Sequence, residues 1–272
     1  MSAHELDHIA FAVPVWGPAG EMLHRELGAR WASGFKMPAF SPCQLALAED
    51  MRLELLEPGA ARNSFVRRFL TENDGNAAPH HITFKVHDIH AAIAGAQDAG
   101  IEPILVNVEH PLWQEAFLHP RDTGLGFLTQ LVQTPQSLEE ITEENNGFNS
   151  SCPWVETTRP QSQLPVVFGQ VTDLERAAHV LRTVLGATDY PLPGESTAKG
   201  FRWAEGANLI LQETPTPTGI SGIQALGIVP APERWDGPLH PGLLQLLQAG
   251  ELRPELGIRI SPLHIPVPMN TG

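Results

Sequence analysis

Leu6-Asp7-His8-Ile9-Ala10-Phe11-Ala12-Val13 returns, altered, as Pro79-His80-His81-Ile82-Thr83-Phe84-Lys85-Val86. Both stretches alternate with the period of a β-strand, and both carry a histidine at the same point of the alternation. His8 and His81 stand 73 residues apart, a repeat of supersecondary size. Two such strands can face each other across a pseudo-twofold axis and aim both imidazoles at one point, which is the beginning of a metal site. Alternate strand residues face opposite sides, so His8, Ala10 and Ala12 share one face and Ile9, Phe11 and Val13 the other. By the same rule His80 is expected on the face away from His81, structural or exposed. Small Ala10, Ala12 and Thr83 beside the histidines are expected to leave room for a substrate.

Working outward, the chain reads as strand, helix, then strands, in four passes. In the first, the His8 strand is followed by a helix over 19–27 stopped by Gly28 and a hairpin over 43–57 closed by Pro58-Gly59. The second opens at His80 and continues with a helix capped by Asp88, stopped at Gly100 and followed by strands near 104–109, 114–118 and 126–132. The third starts near Val166, with Asp173 capping its helix. The fourth is fragmentary and interrupted by proline. Between the second and third lies a polar, acidic stretch expected to be a linker, with a short helix near Ser137–Glu144. The expected organisation is a half over 1–135 made of two βαβββ modules, a linker over 136–163, a second half over 164–262, and an irregular tail over 263–272.

The 17 Lys and Arg residues stand against 31 Asp and Glu, a net charge of −14 that argues against binding a phosphate backbone. Lys36, Lys85 and Lys199 are the only lysines, and no basic cluster is visible. No apolar run is long enough to span a bilayer, so no membrane role is expected. Cys43 and Cys152 are far apart and unpaired in spacing, which suits a reducing compartment; a cytoplasmic location is expected.

Several phrases occur in order at sensible spacing: Leu6-Asp7-His8-Ile9-Ala10, Leu53-Glu54-Leu55-Leu56-Glu57-Pro58, His80-His81-Ile82-Thr83-Phe84, Phe117-Leu118-His119-Pro120 and Thr123-Gly124-Leu125-Gly126-Phe127-Leu128-Thr129-Gln130-Leu131. Together they resemble the vicinal oxygen chelate superfamily (glyoxalase, bleomycin resistance and dioxygenase proteins), and most of all its methylmalonyl-CoA epimerase branch. The resemblance covers 6–133. It implies an α+β fold of paired βαβββ modules, their mixed sheets curled around a cleft, with the second half as a degenerate copy. It also implies four metal ligands, one from the first and one from the last strand of each module: His8, Glu54, His81 and Gln130. Strand parity agrees, since Glu54 opposes Leu53 and Leu55, and Gln130 opposes Thr129 and Leu131. Two imidazoles, a carboxylate and an amide suit one divalent ion, Zn, Co, Ni, Mn or Fe, with positions open to substrate oxygens.

The chain departs from that family in two ways. Gln130 stands where epimerases and glyoxalases carry Glu, and an amide cannot remove a carbon-bound proton. The second catalytic Glu of the epimerases has no counterpart in 35–48, which holds no acidic residue. Glu54 is therefore expected to be catalytic as well as a ligand. In the second half Val166 is expected where His8 sits and Leu211 where Glu54 sits, leaving one metal per chain. The expected function is a metal-dependent isomerase or lyase acting on a small acyl-thioester or keto-acid substrate through a chelated enolate-like intermediate. The alternatives are a metal-independent small-molecule binding or drug-sequestering protein of the same fold, and an Fe(II) ring-cleaving dioxygenase. A homodimer is compatible with these readings, with the second half in the place of a partner subunit.

Overall fold

β1 (Ala3–Ala12) lies inside a nine-stranded mixed sheet, parallel to β4 (Arg52–Pro58) on one side and antiparallel to β5 (Ala78–Val86) on the other. The computed structural model describes residues 3–134, 150–155, 157–235 and 242–263. Beyond β4 the sheet continues through β3 (Phe40–Ala46) to β2 (Arg30–Gly34). Beyond β5 it runs through β8 (Leu128–Gln133) and β7 (Gln114–Leu118) to β6 (Ile104–Asn107). The two modules thus meet at the β1–β5 ladder, as the paired sequence motif predicts. The short helix expected near Ser137–Glu144 and the tail from residue 264 lie outside the described residues.

Local chemistry sets the helix ends. α1 (Trp16–Leu27) stops at Gly28, which takes the left-handed conformation. α3 (Ile89–Asp98) starts where the Asp88 side chain accepts from the Ala91 amide at 3.0 Å. Between the modules the chain inserts α2 (Phe65–Glu72), begun by Ser64 and followed by Asn73, a helix outside the strand–helix–strand passes expected from the sequence. A last short helix, α4 (Pro120–Thr123), precedes β8.

The second sheet has seven strands in the order β10-β11-β13-β9-β14-β16-β15. They are β9 (Gln163–Val171), β10 (Thr188–Tyr190), β11 (Ala198–Arg202), β13 (Asn208–Glu213), β14 (Ile223–Val229), β15 (Glu251–Arg253) and β16 (Ile258–Pro262). Its helices are α5 (Leu174–Thr183), capped by Asp173, and α6 (Leu243–Gln248). The halves are not separate beads. β12 (Glu205–Gly206), from the second half, pairs with β1. Gly206 has φ 84, and a Cβ there would sit 2.1 Å from the Leu6 carbonyl oxygen, so only glycine lets the strands meet. Ile9, Phe11 and Phe84 from the first half share one continuous apolar core with Val167, Leu181 and Leu209 from the second.

Ile9, Phe11 and Val13 face that core, as their parity predicts, while Ala10 and Ala12 face the other way. The space above the two alanines is not open, however. Val66 and Leu70 of α2 pack on it with Phe65 and Phe69, while the Thr83 hydroxyl stays against His8.

Candidate metal centre

Two strand irregularities shape the site. In the β1–β5 ladder, Leu6 pairs with Phe84 but His8 with Thr83, leaving Asp7 as an extra residue; Ala10 pairs with His81 but Phe11 with Pro79, leaving His80 as the extra residue of β5. A bulge of this kind breaks strict alternation. His80 therefore stands beside His81 rather than behind it. The two Nδ1 atoms are 2.9 Å apart, and the His80 ring packs on Phe65 and Phe69. Asp7 holds the matching place beside His8, its Oδ2 2.6 Å from His8 Nδ1. Each candidate ligand histidine is thus steadied through Nδ1 by the residue before it, by a carboxylate in one module and by an imidazole in the other.

His8, Glu54 and His81 converge. Glu54 Oε2 is 3.7 Å from His8 Nε2 and 3.8 Å from His81 Nε2, and the three donor atoms lie within 4.8 Å of one another. Ligands 2.0–2.2 Å from a shared ion stand at most about 4.4 Å apart, so the carboxylate–imidazole spacings suit one. His8 and His81 are buried, and the Glu54 side chain is 13% exposed. His81 Nε2 is buried with no hydrogen-bond partner. A buried polar atom left in that state costs about 1–3 kcal/mol, and a metal would satisfy it. Gln44 of β3 donates to Glu54 Oε1 at 3.4 Å from the paired strand.

Gln130 reaches the group through Thr83. Its Oε1 accepts from the Thr83 hydroxyl at 2.6 Å, and that hydroxyl is 2.9 Å from His8 Nε2. Its Nε2 donates to Glu115 Oε2 at 2.6 Å. Glu115, on β7, is a cleft carboxylate outside the expected ligand set. Its side of the strand is legible from parity with Phe117, but its reach to Gln130 depends on the β7–β8 register, in which Phe117 faces Gln130. Arg52 pairs with Asp7 from the neighbouring strand, both buried.

These bonds have one consistent polarity. Glu115 can only accept, so the Gln130 amide donates to it and turns its oxygen to Thr83. Thr83 spends its proton on Gln130 and accepts from His8 Nε2, while Asp7 accepts from His8 Nδ1. His8 is then an imidazolium, and its Nε2 proton would have to leave for that nitrogen to hold a cation. Burial alone would push its pKa down, but Asp7 and Glu54 hold it up to about 9. His81 is the opposite case. Burial, with His80 and His8 beside it, keeps it well below the ordinary histidine value, so it is neutral with a lone pair to offer. Burial also brings His80 down to about 4. Burial opposes the Asp7 charge, but His8 and Arg52 outweigh it and keep that carboxyl below its usual value.

The site floors a cleft of about 1340 Å³. Its walls are mostly apolar, with Phe40, Phe65 and Phe69 on one side and Trp113 and Phe117 on the other. Leu105, 71% exposed and at φ 52, stands at the rim. The second half contributes Ile220 and Ser221 to the wall. They are brought there by Gly222, whose amide donates to the Gly126 carbonyl at 2.8 Å and where a Cβ would lie 2.8 Å from the Gln170 carbonyl oxygen. His119, at the end of β7, also lines the cleft and caps α4 through Nδ1.

The second sheet repeats the topology without the chemistry. With Val166 at the place of His8, Phe168 falls at that of Ala10. Phe168 pairs with Ile210 on β13 and Ala225 on β14, and Gly227 pairs with Ser261 on β16. The counterparts of His8, Glu54, His81 and Gln130 are therefore Val166, Ile210, Ala225 and Ser261. The expected Leu211 is one residue out of register and points into the shared core instead.

A model of the glyoxalase/bleomycin resistance protein/dioxygenase superfamily matches residues 7–117. No curated protein matches. Among solved structures, a hypothetical protein from Staphylococcus aureus aligns over 95% of this chain and 99% of its own, at 10% identity and a TM-score of 0.61, which shows a common fold. Methylmalonyl-CoA epimerase from Mycobacterium tuberculosis aligns over 52% of this chain and 97% of its own, at 22% identity and a TM-score of 0.44. A variant of the Streptomyces coelicolor enzyme, in complex with 2-nitronate-propionyl-CoA, aligns over 49% and 96%, at 26% and 0.43. Among the described residues no helix is long and apolar enough to cross a membrane.

Proposed function

We propose that this chain, whose residues 7–117 match the glyoxalase/bleomycin resistance protein/dioxygenase superfamily, is a metal-dependent isomerase or lyase of that superfamily. The observation that carries the reading is the convergence of His8, Glu54 and His81 around a buried imidazole nitrogen with no partner. These residues would hold one divalent ion, Zn, Co, Ni, Mn or Fe, with the Gln130 carbonyl oxygen as a fourth donor. Such an ion, when bound, supplies Lewis-acid stabilisation of negative charge on vicinal substrate oxygens.

The chain's own residues do the rest. Asp7 orients the His8 ring and Gln44 steadies Glu54. The aromatic walls exclude water, which strengthens every charge interaction on the floor. Glu54 is the carboxylate nearest both histidines and is assigned the proton transfer at substrate carbon. The substrate is taken as an acyl-thioester or keto acid able to present two oxygens and pass through an enolate. The cleft leaves space for a larger body behind that end. The reading includes the division into a metal-binding half over 1–135 and a degenerate half over 164–262, and a cytoplasmic setting in keeping with free Cys43 and Cys152. Metal analysis together with solvent-deuterium incorporation across a thioester and keto-acid panel tests it. One ion per chain and chelator-sensitive exchange are expected; no ion and no exchange would overturn it.

The apolar walls also favour a second reading, metal-independent sequestration of an apolar small molecule. It predicts that alanine at both His8 and His81 leaves ligand affinity unchanged.

A further inference from the structure

Gln130 is the one candidate donor whose identity depends on which way its side chain is turned. An amide presents oxygen at one end and NH2 at the other, and only the oxygen can ligate a cation. The Thr83 hydroxyl does not choose between them, because a hydroxyl both donates and accepts. Glu115 does choose. Its Oε2 lies 2.6 Å from Gln130 Nε2 and a carboxylate only accepts, so the NH2 is drawn outward and Oε1 is left facing Thr83 and the histidines. Trp113 Nε1, donating to the same Oε2 at 3.1 Å, holds the carboxylate in place. Gln130 and Glu115 lie on adjacent paired strands, diagonal to one another across the ladder.

The arrangement also bears on charge. Among the candidate ligands only Glu54 is anionic. Glu115 sets a second negative charge one amide away from the donor group, polarising the Gln130 carbonyl toward it.

Resting on the metal reading above, we infer that Glu115 is a positioning residue for the metal centre. It turns the Gln130 oxygen inward and supplies, one side chain further out, the negative charge that a ligand carboxylate would have carried. Carboxylates behind metal ligands typically contribute about 10–100-fold in affinity.

The test is Co(II) affinity by competition titration, with the visible absorption spectrum of the Co(II) protein as a second readout independent of turnover. Glu115→Met removes both acceptor and charge and is expected to weaken Co(II) binding about 10–100-fold and alter the spectrum. Glu115→Gln keeps an acceptor for the amide and is expected to bind more tightly than the Met variant but less tightly than the parent. Adding Gln130→Glu to Glu115→Met puts the carboxylate directly at the ligand position and is expected to restore affinity, which a general folding defect would not allow. Parental affinity and spectrum in Glu115→Met, or no rescue by the second substitution, would overturn the inference while the metal reading stood. A parent protein that takes up no Co(II) would bring down both.

Discussion

In the first sheet the corner formed by β1, β4, β5 and β8 holds His8, Glu54, His81 and Gln130; in the second, the corner formed by β9, β13, β14 and β16 holds Val166, Ile210, Ala225 and Ser261. The backbone is the same device used twice. The first corner opens into a large cleft, whereas Leu243, Leu244 and Leu247 of α6 pack into the second with Val166, Ile210 and Ala225. Even the supporting layer is exchanged. Asp7 and Arg52 form a buried ion pair behind His8, and at the matching positions Asn208 donates to the Pro165 carbonyl at 3.0 Å. A curled sheet of this kind therefore does not itself require a metal. An apolar plug fills one copy, and a charged floor is retained in the other.

The largest effect separating the corners should be on metal. His8→Ala or His81→Ala is expected to lower Co(II) affinity by at least about 100-fold and abolish turnover, read by elemental analysis and competition titration. Next comes the ion pair. Arg52→Met leaves Asp7 buried without its guanidinium and should cost about 3–5 kcal/mol in denaturant unfolding. Asn208→Ala, its counterpart, loses one neutral hydrogen bond and should cost about 1 kcal/mol. If the two cost the same, the contrast between a charged and a neutral support is wrong.

Leu247→Ala hollows the plug and should cost about 2–5 kcal/mol while leaving Co(II) affinity unchanged, because a cavity lined by apolar atoms offers no donors.

The smallest effect is a pH dependence at Glu5, beside the ion pair. Burial and the neighbouring Asp7 raise its pKa, despite Lys85 at 3.7 Å. The folded state then holds the Glu5 proton more tightly than the unfolded chain does. The stability linked to that proton is full at low pH and is lost as pH rises through the folded pKa. Glu5→Gln cannot lose a proton, so its stability relative to the parent should rise slightly as pH climbs upward from about 4, the ordinary Glu value. Urea unfolding across that range measures it, and a parallel pair of curves would refute it.

Much of the site was legible in the sequence because it depends on short-range order. The paired His8 and His81 motifs, the apolar alternation around them and the caps at Asp88 and Asp173 appear in the structure where the residues put them. What escaped depends on register or on breaks in register. His80 departs from its expected face because a bulge is invisible to a rule of strict alternation. Leu211 is one residue off for a different reason: β9 and β13 pair without a break, but nothing local fixes which residue of β13 stands opposite Phe168. Glu115 joins the site only through a cross-strand bond. α2 did leave a signal, a Ser64 cap followed by Val66 and Leu70 four residues apart on one face, hidden by the Pro58-Gly59 stop before it.

On the proposed reading, one corner of this duplicated fold binds a cation and the other offers it no donors. Anomalous diffraction at the cobalt edge, from crystals grown with Co(II), tests it most directly. A single strong peak per chain is expected, about 2.0–2.2 Å from nitrogens of His8 and His81 and an oxygen of Glu54, and none near Val166, Ile210 and Ala225. A peak elsewhere, or none with the metal present in excess, would contradict it.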